Sequence, residues 1–213
     1  MPLPLQLLLG LWMAGVTVAA FTYVPPARGF ADNEAARIVV FHVPCAMIAV
    51  LAYLVSMGYA AAYLARRGAG LDLRSAISAG LGLLFTVLAT ATGMVFARVQ
   101  WGTAWNWDPK EFAIFLLMIV YASYFALRGA IPAAVTRARV SAVYNILAGV
   151  VMPYLVIILP RMVGGLHPVN ASLDAPYRIV MFAAAAGMAL LYVWLMRIHV
   201  RLAERALAQR RKA

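Results

Sequence analysis

Apolar positions fall in six long blocks, near 3–22, 38–64, 76–97, 111–127, 140–160 and 177–199, separated by short stretches where charge, glycine and proline collect. Each block is near the roughly 20 residues with which a helix crosses about 30 Å of hydrocarbon. A chain in lipid must satisfy its backbone polar groups internally, which leaves helices and closed barrels, and these blocks are too long for barrel strands. The pattern predicts an all-α integral membrane protein, a single bundle of six transmembrane helices over residues 1–213. No internal repeat, low-complexity linker or soluble domain interrupts it.

Composition sharpens the class. The chain is 65% hydrophobic and 12% charged, against about 45–50% and about 25% in soluble domains. So little charge cannot coat a water-soluble globule, which excludes a soluble enzyme, a disordered tail and a disulfide-stapled secreted domain as whole-chain readings. The lone cysteine, Cys45, excludes a disulfide framework, a CxxC redox pair and a covalent CxxCH haem site within the chain.

The net charge of +11 is unevenly spread. The 65–75 loop (Arg66, Arg67, Arg74, with Asp72), the 128–139 loop (Arg128, Arg137, Arg139) and the tail (Arg197, Arg201, Arg205, Arg210, Arg211, Lys212, with Glu204) hold twelve basic residues and two acids. The opposite side holds six basic residues (Arg28, Arg37, Arg98, Lys110, Arg161, Arg178) and five acids (Asp32, Glu34, Asp108, Glu111, Asp174). The positive-inside rule then predicts cytoplasmic termini and outward 23–37, 98–110 and 161–176 loops. The charge suits the anionic lipid of the inner leaflet, and no folded basic face is available for nucleic acid. Val18-Ala19-Ala20 resembles a signal-peptide cleavage site, but the segment has no basic start and its apolar run is too long, so it is expected to stay as the first span.

The unusual residues collect on the outward side. Trp101, Trp105 and Trp107 lie within seven residues, in Trp101-Gly102-Thr103-Ala104-Trp105-Asn106-Trp107-Asp108. An interfacial aromatic belt accounts for one or two of them; their spacing also allows indole faces to form a platform for a flat apolar ligand. Asp108-Pro109-Lys110-Glu111 reads as the start of the fourth span, with Asp at the N-cap, Pro at the first helical position and Glu at the third.

His42, at the outward start of the second span, and His167, in the last outward loop, flank this region. Imidazole is a usual axial ligand of haem iron, and two can close both faces of the macrocycle. Zinc usually takes three or four protein ligands, so haem suits the set better. His199 sits on the cytoplasmic side and reads as a helix-terminus residue. Cys45 shares a helical face with His42 and reads as a small packed thiol. The outward arginines Arg28, Arg37, Arg98, Arg161 and Arg178 read mainly as topology and interface residues, of which one or two could pair with porphyrin carboxylates.

The tryptophan-rich segment resembles the WWD signature of the haem-handling cytochrome c assembly proteins, a superfamily that includes the CcmC, CcmF and CcsA families. His42-Val43-Pro44 is similar to the first haem-ligand histidine of CcmC, and His167 matches the place of its second. Six spans, the length and the topology fit CcmC over nearly the whole chain. Ala104 stands where many CcmC members carry Trp, and the Asp108-Pro109-Lys110-Glu111 ending is closer to CcsA. The resemblance implies a haem-binding, non-enzymatic component of cytochrome c maturation in a bacterial-type cytoplasmic (inner) membrane, with its site on the periplasmic face. It would hold non-covalent haem b through His42 and His167 as axial ligands, with Trp101, Gly102, Trp105, Trp107 and Asp108 as a haem-edge loop. The implied partners are a CcmE-like haem chaperone, a CcmA/CcmB ATP-driven transporter and a CcmD-like small subunit. A CcsA-like role would instead pair the chain with a CcsB-like subunit of a cytochrome c synthase, and a third reading is a non-haem structural membrane protein whose tryptophans only anchor it. No Walker motif, HExxH or GxSxG is present.

Overall fold

A computed structural model describes residues 2–27, 30–167 and 173–210. Arg28, Pro168, Arg211 and Lys212 lie outside the described residues, as does the side chain of Arg210. The described chain is helical, with six helices long and apolar enough to cross a membrane. The first is α1 (Leu3–Thr22), which has no charged side chain along its length. A single 3-10 turn, Ala35–Ile38, leads into α2 (Val39–Arg66). Pro44 lies inside α2, past its first turn, where it removes one intrahelical N–H donor.

Next comes α3 (Ala69–Trp101), whose 33 residues span about 50 Å at 1.5 Å per residue, more than the hydrocarbon thickness. Its last turns therefore project past the apolar block at 76–97. After a short loop, α4 (Pro109–Ala130) starts on the capping box that Asp108 and Glu111 form. The fifth span is not one regular helix. It runs as α5 (Ala134–Pro153), a π-helical turn over Tyr154–Ile158, and the short α6 (Leu159–Val163). Pro153 and Pro160 bracket the wide turn, and each removes a backbone donor that a regular helix would use. The last helix is α7 (Ala175–Arg210).

At the centre stands α2, packed along α3 and against α5 and α7, while α1 leans on α7 and α4 on α3 and α5. Between lipid-immersed helices association depends on close packing, so small residues belong at the contacts. Ala49, Ala52, Ala79, Ala89, Ala113 and Ala148 fill the buried centre, and the Tyr53 ring lies against bare Gly82 and stacks on Tyr121 with centroids 3.6 Å apart. Buried polar groups are mostly tied across helices. Asn145 donates to the hydroxyls of Ser56 at 2.6 Å and Ser75 at 2.9 Å, and Ser78 shares a 2.7 Å bond with the Tyr192 hydroxyl. The outer surfaces carry exposed leucine, valine and phenylalanine, as a lipid-facing surface requires.

Candidate functional site

At one end of the bundle the first turns of α2, the C-terminal half of α3, the 102–108 loop, the start of α4, the π turn and the 164–167 loop converge on one cavity. Its walls include Ala46, Ala113, Ile114 and Val156, and its polar groups include His42, His167, Lys110 and Glu111. Trp105 closes one side.

Both imidazoles are held by the same nitrogen. His42 Nδ1 lies 2.9 Å from the Ala89 carbonyl oxygen, with the Thr92 hydroxyl 3.2 Å away. A carbonyl only accepts, so Nδ1 carries the proton and Nε2 keeps its lone pair. His167 Nδ1 lies 3.0 Å from Asp108 Oδ1, and the same logic leaves its Nε2 lone pair free. A carboxylate or carbonyl behind the distal nitrogen is the usual way to fix the tautomer and orientation of a metal-ligating histidine. Bare Gly93 leaves room beside the His42 ring, where a Cβ would sit 3.0 Å from Cε1. Two imidazoles with free Nε2 lone pairs on one largely apolar cavity are a donor set that would suit a metal-bearing apolar ligand.

Asp108 does more than cap α4. Its side chain is only 1% exposed. Oδ1 accepts the Lys110 N–H at 2.9 Å as well as His167, and Oδ2 accepts the Leu166 N–H. Burial pushes its pKa up, but these donors and the nearby imidazole outweigh burial and hold the carboxyl below its ordinary range. For His167, burial lowers the pKa more than the Asp108 carboxylate raises it, so the ring is neutral at neutral pH and able to act as a ligand.

The three indoles do not form one platform. Trp101 is the last residue of α3, and its ring meets the His167 ring edge-on, with centroids 5.0 Å apart. Trp105 and Trp107 are perpendicular, at 89°, and both abut Phe115. Of the three, Trp105 lines the cavity, Trp101 buttresses a histidine, and Trp107 is 65% exposed. Gly102 acts as the left-handed C-cap of α3 (φ +83°) and its carbonyl accepts from Arg98 at 3.1 Å. Trp107 is itself left-handed (φ +56°), uncommon for a bulky residue. Glu111 holds that turn, its Oε2 accepting the N–H groups of Asn106 at 2.7 Å and Asp108 at 3.3 Å.

His199 bonds the Leu195 carbonyl of its own helix, far along α7 from the cavity. Cys45 is buried against Met188 and stays out of the cavity wall. Sequence reasoning did not single out Thr92, Val156 or Gly165. Val156 reaches the cavity only through the π turn, and Thr92 is one polar residue among several in an apolar helix, so neither carries a local signal.

The model of the Heme exporter protein C family matches residues 2–213. This chain belongs to that family. The heme exporter protein C of Paracoccus denitrificans is 27% identical over 194 residues, covering 87% of this chain and 80% of that protein. That of Rhodobacter capsulatus is 28% identical over 215 residues, covering 92% and 86%. A CcsA cytochrome c biogenesis protein from Coffea arabica is 40% identical, but over 58 residues, 27% of this chain and 18% of its own. Family membership makes the chain a multi-pass membrane component of cytochrome c maturation.

Within this family member, Gly165 supports His167 indirectly. A Cβ there would run into the Asp108 carboxylate and sit 3.0 Å from Pro109 Cδ. Gly165→Ala is expected to displace the 164–167 loop and cost about 1–3 kcal/mol, the usual penalty for overpacking a filled site. Thermal unfolding in detergent checks it, and an unchanged midpoint would mean that the loop yields freely.

Proposed function

We propose that this heme exporter protein C family member holds non-covalent haem b between His42 and His167 and presents it for transfer to a CcmE-like haem chaperone. The observation that carries the reading is the pair of imidazoles on one cavity, each with Nδ1 engaged and Nε2 free. Bound haem would supply iron that takes both Nε2 lone pairs. Trp105 and the apolar wall of the cavity cover porphyrin area at roughly 25 cal/mol per Å² removed from water. Trp101 backs the His167 ring, and Asp108 orients it, so the haem-edge loop acts partly through the ligand rather than by contact.

The charge asymmetry of the loops supports a bacterial-type inner membrane with both termini in the cytoplasm and the cavity at the periplasmic face. Delivery from there needs no chemistry in this chain. We infer that a CcmA/CcmB-like transporter and a CcmD-like subunit supply the energy and the docking.

The test is the optical spectrum of the detergent-purified protein, with His42→Ala and His167→Ala beside it. A Soret band that weakens or shifts in each variant is expected. A wild-type protein without haem, despite ample supply, would overturn the assignment.

A further inference from the structure

Three residues of one turn of α3 meet the His42 imidazole. Ala89, Thr92 and Gly93 are spaced three and four apart, so they share one face of that helix. The Ala89 carbonyl takes the shorter bond from Nδ1–H, 2.9 Å, and the Thr92 oxygen lies 3.2 Å from the same nitrogen. A hydroxyl has one proton, and Thr92 spends it within its own helix. Its Oγ1 is 2.8 Å from the Leu88 carbonyl oxygen and 3.0 Å from that of Ala89. Lone pairs are then what Thr92 offers to His42, and the imidazole N–H is shared between two acceptors. Were the hydroxyl to donate to Nδ1 instead, the lone pair of that nitrogen would face the Ala89 carbonyl, which is repulsive.

Gly93 supplies a wall on the third side. A Cβ there would sit 3.0 Å from Cε1, 3.5 Å from Nδ1 and 3.9 Å from Nε2 of His42, so the ring lies flush against bare backbone. A single acceptor leaves an imidazole free to swing about its N–H···O line, because hydrogen-bond angles are broadly distributed. A second acceptor on another atom, with a wall beside it, removes that freedom. The two histidines are thus fixed by different means. His167 is held by the charge of the buried Asp108 carboxylate, His42 by two neutral oxygens and a close contact. A charged acceptor strengthens the imidazole as a donor to metal, whereas neutral acceptors act chiefly through direction.

We propose that Thr92 is a positioning residue for His42, the second acceptor that fixes the rotation of the ring and so aims its Nε2 lone pair into the cavity. Thr92 does not line the cavity, so it acts only through the imidazole. The consequence for haem rests on the bis-histidine reading, under which the aim of Nε2 sets how the His42 ring plane lies relative to that of His167.

Thr92→Val removes the acceptor and nearly keeps the shape, while Thr92→Ser keeps the oxygen and loses the methyl group. Protein with 15N-labelled histidine and no haem gives the first readout, the exchange of the His42 Nδ1 proton with water, its signal assigned by loss in His42→Ala. Protein loaded with ferric haem gives two more: the EPR g values, which follow the angle between two axial imidazole planes, and the Kd from Soret titration. Thr92→Val is expected to speed the exchange, shift the g values and raise the Kd about three- to tenfold, the scale of one neutral hydrogen bond. Thr92→Ser should restore all three. Wild-type exchange and g values in Thr92→Val would leave the hydroxyl as a back-bond of its own helix and overturn the proposal. Equal changes in Thr92→Ser would trace the effect to the methyl group, and faster exchange with unchanged g values would show a bond that aims nothing; either overturns it. A wild type that takes up no haem would overturn the bis-histidine reading alone. Exchange in the haem-free variants then decides the role of Thr92, which stands if Thr92→Val speeds it and Thr92→Ser does not, and falls otherwise.

Discussion

Asp108→Ala is expected to weaken haem binding about 10- to 100-fold, the range found when a partner behind a metal-ligating histidine is removed. The side chain serves four groups at once. It orients His167, accepts the Leu166 N–H that ties down the 164–167 loop, caps α4 through the Lys110 N–H, and shares the capping box with Glu111. Loss of the cap alone costs about 1 kcal/mol. Two buried donors without acceptors add about 1–3 kcal/mol each. Unfolding temperature and haem affinity should therefore fall together in Asp108→Ala.

Asp108→Asn separates the two roles. Asparagine is as good an N-cap as aspartate. It has one acceptor oxygen and no charge, however: with that oxygen kept on the Lys110 N–H and the Nδ1–H of His167, its NH2 opposes the Leu166 N–H, loosening the 164–167 loop and removing the carboxylate behind the imidazole. The variant should keep most of the thermal stability of α4 and still lose haem affinity or shift the Soret maximum. Wild-type affinity and spectrum in both variants would show that His167 does not act through Asp108.

The second large effect is expected at the opposite end of the bundle. Arg128, on the last turns of α4, meets Asp72 of α3 in a two-pronged pair, Nη1 to Oδ1 at 2.6 Å and Nη2 to Oδ2 at 3.0 Å. The guanidinium also lies over the Tyr124 ring at 5.6 Å. The two side chains are 15% and 16% exposed. Removing one member leaves the other nearly buried and unpaired, which costs about 3–5 kcal/mol in a dry interior; partial exposure reduces this to about 2–3 kcal/mol here. Asp72→Asn should show that loss in denaturant unfolding. Asp72→Leu with Arg128→Met should recover most of it, because the orphaned charge is gone. Neither change touches the histidine cavity, so the Soret maximum should stay in place. Equal stability of Asp72→Asn and wild type would mean that water screens the pair.

The sites of these two predictions differ in how far the sequence exposes them. The Asp108–Glu111 capping box is local, four residues long, and its pattern is readable because the energetics of a helix start involve only that turn. The His167–Asp108 bond spans 59 residues and the His42–Ala89 bond 47. Nothing in the flanking residues of either histidine announces its partner. The tryptophans show the same limit: their spacing of four and two residues left belt and platform both open. Packing against Phe96, Phe115 and His167 turns the rings into three different roles.

By itself the sequence determined the all-helical membrane class and the number of spans. Burying apolar side chains and satisfying every backbone group in lipid are requirements met within each segment, and block length records them. It also marked a tryptophan-rich loop and two outward histidines. The tertiary structure alone decided which nitrogen of each histidine stays free and that a π turn between Pro153 and Pro160 brings Val156 to the cavity. Those outcomes depend on how helices distant in the chain press together, through contacts that no local periodicity encodes.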